Sequence, residues 1–321
     1  MTSTAPPTRK RRLWLRVLVF GFLLWLVTIA VLWWTEETSL IPSAIFTGSF
    51  LGPVTFTLWA IEREQYSGVA PGGEESQLSV RLLVTAFAGA GLLGVVVSAL
   101  LETVLLVDHP LAFYPGVAVI EETVKIVLVW LLARGFTSYH RRDGMVLGAT
   151  VGFGFAAFES AGYAFNALLK AQPSATDFLP VIETQLVRGL LTPVGHGLWT
   201  ALLGGALFAA ARNDKLRVSA SVLGWWCVVV LLHAVWDASA GLAVALTYIT
   251  IGQPVSIPAV EAGRLPDPTA SQVHLVAVYS WALLTACALI GILLANRMWV
   301  KGRALVHGFP HGPKSGTSLT S

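Results

Sequence analysis

Charge is what this 321-residue sequence has least of: 12% of its residues are Asp, Glu, Lys or Arg, where about a quarter is usual for soluble domains. With 55% hydrophobic residues and a mean hydropathy of +0.70, that shortage excludes an ordinary water-soluble globular protein. Cysteine is nearly as scarce. Cys227 and Cys287 both lie in apolar runs, where a thiol behaves as a small hydrophobe, so no disulfide framework or cysteine metal site is expected. The net charge of +3 does not imply nucleic acid as a partner, because the basic residues gather at the ends of apolar runs. A cleavable leader is not expected either. The "RKRR" run precedes an apolar stretch ending "VLWWTEE", which is too long for a signal-peptide core and has no small-x-small site after it.

What is present are long apolar stretches. A spanning helix needs about 20 predominantly apolar residues, and eight runs qualify: 13–34, 39–60, 80–107, 111–133, 144–169, 182–211, 218–249 and 272–297. With residue 1 on the cytoplasmic side, 17 of the 21 basic residues fall on inner segments. The outer loops hold Lys170 and Arg264, and Lys125 and Arg188 fall within spans. The excess of positive charge inside predicts an all-α polytopic membrane protein of about eight transmembrane helices with both termini cytoplasmic. Its expected organisation is a basic, disordered tail (1–12), helices 1 to 3 (13–107), a four-helix core of helices 4 to 7 (108–249), an exterior loop (250–271), helix 8 (272–297) and a second disordered tail (298–321). "REQYSGVAPGGEESQ" reads as a flexible cytoplasmic linker.

Ionisable groups at membrane depth cost several kcal/mol and normally face a protein interior or a wet cavity. Helix 4 carries Glu121, Glu122 and Lys125, helix 5 Glu159, helix 6 His196, and helix 7 His233 with Asp237. Counted from their inner ends, Glu121, Glu159, His196 and His233 lie 12 to 15 residues deep, or about 18–23 Å at the α-helical rise. One shared layer is therefore expected. Lys125 follows Glu121 and Glu122 at i+4 and i+3, and Asp237 follows His233 at i+4, so each set shares a helix face. Gly144, Gly148, Gly152 and Ala156 form a stripe at four-residue intervals that permits close helix contact. Arg188, Tyr163 and Thr200 are expected as supporting residues around the layer, and Trp199 and Trp236, each three residues after a site His, are expected to pack around it. Glu102 reads as interfacial, beside Asp108.

Two chemistries fit such a layer. In one, a divalent metal such as Zn²⁺ is held by His196, His233 and Glu159, with Glu121 as base. In the other, no metal is used: Glu121 deprotonates water while His233 and Asp237 stabilise the oxyanion. Chains of carboxylates and imidazoles also suit a proton- or cation-conducting transporter, although no strong inverted repeat is visible.

The motifs "EETVK" (Glu121 to Lys125), "FAAFE" (Phe155 to Glu159), "HGLWT" (from His196) and "HAVWD" (His233 to Asp237) occur in that order on four consecutive spans. In this the chain resembles the PrsW family of intramembrane proteases, within the superfamily of CAAX prenyl proteases and bacteriocin-processing enzymes, over about residues 111–245. The resemblance implies a peptidase of the bacterial cytoplasmic membrane with Glu121 and Glu122 central, and with the residue reading above, the expected catalytic set is Glu121, Glu122, His233 and Asp237. It also implies membrane-anchored protein substrates, anti-sigma factors among them. Members outside the PrsW branch carry His where this chain has Glu159 and Asn in place of Asp237. That departure argues against prenyl-peptide substrates and favours cation binding.

Overall fold

A computed structural model describes residues 12–66, 76–106, 113–170 and 178–307. Asp108, most of the 63–77 linker, residues 1–11 and residues 308–321 lie outside the described residues, whereas 298–307, expected as part of a disordered tail, continue the last helix to His307. The regular elements are helical: α1 (Leu13–Thr35), α2 (Ile41–Tyr66), α3 (Val80–Leu105), α4 (Phe113–Ala133), α5 (Arg141–Lys170), α6 (Leu179–Leu191), α7 (His196–Ala209), α8 (Ala220–Asp237), α9 (Ser239–Thr250), α10 (Ile257–Ala262) and α11 (Ala270–His307). An isolated bridge between Arg212 and Lys215 is the one β interaction among the described residues.

Among the described residues, seven helical stretches are long and apolar enough to cross a membrane. The eighth expected span, α4, has the length at 21 residues, but Glu121, Glu122 and Lys125 sit together in its middle. Burial resolves the conflict, because those three side chains face inward against protein. α1 and α11 do the opposite, with large side chains such as Phe20, Trp33, Trp34, Val278 and Leu293 exposed along their length, as expected of lipid-facing surfaces.

Two expected spans are not continuous helices. The run 182–211 divides into α6 and α7 at a 3-10 turn, Thr192–Val194, followed by Gly195 at φ −102° and ψ −130°. Pro193 has no N–H to donate and disfavours α conformation in the residue before it, so the apolar run is broken despite its length. The run 218–249 divides at Ala238 into α8 and α9. Beyond it, Gly241 lies with its backbone against the Val260 carbonyl of α10, a contact that a side chain would block.

α5 is the axis of the fold, with most of its residues buried. Its stripe of glycines meets α7 backbone to backbone. A Cβ on Gly144 would collide with the Gly204 carbonyl, one on Gly148 with that of Thr200, and one on Gly152 with that of His196. This seam seats His196 beside α5. On the other side of α5, Gly154 presses against the Phe87 carbonyl, where α3 widens into π-helical turns at Thr85–Ala90. Placing a β-branched side chain in the seam has no rotamer solution, since the obstacle is main chain. Gly148→Val is expected to lower stability by about 3 kcal/mol, the upper end for overpacking, whereas Gly224→Ala, where an added Cβ meets nothing within 4 Å, is expected to leave it unchanged. Denaturant unfolding of the detergent-solubilised protein checks both.

Candidate functional site

The polar residues of α4, α5, α7 and α8 converge. Lys125 is 0% exposed and its Nζ donates to Glu121 Oε2 at 2.9 Å and to Glu122 Oε1 at 2.8 Å, within its own helix. The same ammonium lies 2.8 Å from His196 Nδ1 of α7 and 4.0 Å from the centroid of the Phe155 ring of α5. An ammonium can only donate, so His196 Nδ1 is the acceptor and its Nε2 carries the proton. That Nε2–H then donates to Glu159 Oε2 at 3.0 Å. His233, 1% exposed, places Nδ1 2.9 Å from Glu122 Oε1 and Nε2 3.1 Å from Asp237 Oδ2. Glu121 Oε2 stands 3.8 Å from His196 Nδ1 and 3.8 Å from His233 Nε2, between the two rings.

Apolar and cationic neighbours hold these groups in place. Trp199, fully buried on α7, packs its ring 5.4 Å from that of His196 and 4.9 Å from that of His233, and Trp236 meets it edge-on at 5.7 Å. Arg188 of α6 bonds Glu159 through Nη2 and Ser160 Oγ through Nε, at 2.8 Å for the latter. Its guanidinium lies 4.2 Å over the Tyr163 ring. α6 is anchored one turn earlier by Gln185, which donates to the Ala44 and Ile45 carbonyls of α2 and accepts from Trp25 Nε1. Thr200 is fully buried on the face of α7 that meets Gly152, so it lines the seam rather than the polar cluster.

Glu121, Glu122, His196 and His233 each offer a ligand atom, and these four atoms lie within 4.8 Å of one another. Glu159 stands one step outside, reaching the cluster through His196, and Asp237 reaches it through His233. The donor set fits a divalent ion of the zinc type, which takes imidazole and carboxylate ligands. Two further features agree with that fit. Glu122 Oε2 is buried without a hydrogen-bond partner. Among the described residues, Glu121 and Glu122 pair with Lys125, Glu159 pairs with Arg188 and Asp237 lies against His233, so four carboxyl groups face two fixed positive charges.

Glu102, expected at the interface, turns its side chain toward protein. Its Oε1 is buried, and the residue lies within electrostatic reach of Glu159, Lys125, Asp237 and His233. The signal available in the sequence was the spacing of Gly91, Gly94, Ser98 and Glu102, a small and polar face on an otherwise apolar helix.

No curated protein and no solved structure matches the chain. A family profile does: that described as PrsW family intramembrane metalloprotease matches residues 78–262, from the start of α3 through α10 and so across every helix that supplies the polar cluster. The chain is accordingly an integral, multi-pass membrane peptidase and belongs to the PrsW family of intramembrane metalloproteases.

Proposed function

We propose that the protein is an endopeptidase for membrane-anchored polypeptides, anti-sigma-factor-like proteins among them, and that Glu121 activates the hydrolytic water. The observation carrying this reading is the four-donor cluster of Glu121, Glu122, His196 and His233. Of the carboxylate pair, Glu121 keeps slight exposure and lies between both imidazoles, whereas Glu122 is sealed against Lys125 and His233. Glu121 therefore suits the base, accepting the proton of water as its oxygen attacks the scissile carbonyl. The proton then passes to the leaving amine.

His233 and Glu122 would hold Zn²⁺ together with His196, whose Nδ1 would have to exchange the Lys125 ammonium for the metal. When bound, the metal would supply Lewis-acid polarisation of the carbonyl and a more acidic water. Glu159 accepts from His196 Nε2 and Asp237 lies against His233 Nε2, the pattern in which a carboxylate fixes the orientation of a ligating imidazole. Arg188 and Tyr163 keep Glu159 in that role. An apolar cavity of about 400 Å³ borders Pro193, Val194, Gly197 and Leu198, on both sides of His196 in the chain. Its lining suits an apolar segment, but none of the residues of the polar cluster faces it, so it lies beside the site and does not lead into it.

The test is cleavage of a tagged single-span substrate by purified protein in liposomes. Chelation is expected to abolish cleavage, Zn²⁺ to restore it, and His233→Ala to lose both activity and bound zinc while the protein accumulates normally. Full activity in a metal-free preparation would overturn the zinc assignment, and full activity of His233→Ala would overturn the site.

A further inference from the structure

α3 carries two polar groups that the chemistry above does not use. Ser98 is 2% exposed and its Oγ has no hydrogen-bond partner. Glu102 follows one turn later on the same face, and its Oε1 is likewise buried without a partner.

Contacts along α3 fix where that face points. A Cβ on Gly94 would touch Leu128 of α4, and Leu106 packs against Gly116 of α4, so the two helices run antiparallel. This register brings Ser98 level with Lys125 and Glu102 level with Glu121. Toward α5, Gly91 lies against Gly154 and Gly94 against Phe155, a parallel register that brings Ser98 level with Glu159. Both orphaned oxygens therefore stand at the depth of the catalytic layer, on the helix beside it.

Buried polar atoms are almost always bonded to protein or to ordered water. Two of them, one turn apart on one face, can share bridging water. The reaction also demands a supply, since each bond cleaved consumes one water and Lys125, Glu122 and His233 are at most 1% exposed. The partly open side of the site is that of Glu159, at 17%, and Asp237, at 26%, the two acids within reach of Glu102.

We infer that the Ser98–Glu102 face of α3 lines a hydrated access path to the Glu121–Glu122 pair, with Glu102 at its mouth. The use of that water rests on the peptidase reading; the path itself does not.

The test uses the full chain in nanodiscs, which leave both faces open to solution, with Cys227 and Cys287 replaced. Silver ion, close to water in size, is the probe, and the readout is the fraction of thiol blocked against alkylation after denaturation. Ser98→Cys is expected to react at least about tenfold faster than Leu100→Cys on the lipid-facing side or Ala86→Cys in the dry core, because capture requires a hydrated, ionisable thiol. Adding Glu102→Leu is expected to slow it. Equal rates at the three positions would overturn the path. Silver capture needs no turnover, so a reactive Ser98→Cys in a protein that cleaves nothing would uphold the path and remove the peptidase reading. A silent one in an active enzyme would overturn the path alone.

Discussion

Glu121→Gln is expected to reduce the cleavage rate by about 10²–10⁴-fold, the usual contribution of a positioned general base, with little change in protein abundance. The amide keeps the size of the side chain, and its carbonyl oxygen can still accept from Lys125 Nζ, the bond that holds Glu121 in place. What it loses is the ability to take a proton. Folding should not suffer, because one of two neighbouring negative charges in a buried site is removed while Lys125 keeps Glu122 as its partner. Initial rates on a tagged substrate in liposomes, with unfolding measured on the same preparation, separate the two effects. Should the variant retain more than a tenth of the parent rate, the base would have to be sought elsewhere.

Lys125→Met is expected to be the most damaging change to folding. The ammonium is fully buried and satisfies Glu121, Glu122 and His196 at once, at 2.8–2.9 Å. Methionine would fill much of the space but leave two carboxylates facing each other without a counter-charge. Breaking a buried ion pair in this way costs about 3–5 kcal/mol. Lys125→Arg is expected to fold better than Lys125→Met yet to cleave poorly, since a planar fork cannot direct its donors to three acceptors as a tetrahedral ammonium can. Denaturant unfolding in detergent is the measurement for each. A Met variant as stable as the parent would mean that the carboxylates find neutralisation without Lys125.

The helices that carry the site were legible because hydropathy and ionisable groups make independent signals. A Glu pair, a third Glu and two His on four successive apolar runs are hard to reconcile with lipid exposure. Their depth count anticipated the convergence that the distances report. The breaks at "TPVG" and "DASAG" are not read by run length, which alone sets the expected spans and gives no weight to a Pro193 inside a run. Glu159 illustrates a different limit. Its position on the right face was readable, but its pairing with Arg188 depends on how α6 docks, and that is set by Gln185 reaching the α2 backbone from far along the chain. The neighbours that Glu102 turns toward were not legible for the same reason, because which of them its face of α3 meets is set by helix packing.

The glycine seam has a kinematic consequence. With carbonyls of α7 seated on the Cα atoms of α5, neither helix can slip along the other without collision, so the pair moves as one body. Glu159 and His196 ride on it, whereas Glu121, Glu122 and Lys125 belong to α4 and His233 to α8. A gap opened by drawing α4 or α8 away from that body would stretch the Lys125–His196 contact or pull His233 off its place beside the His196 ring. Opening and chemistry then exclude each other in time. The protein would be inert while gaping and competent only when shut around its substrate, a built-in safeguard for an enzyme surrounded by the spans of other proteins.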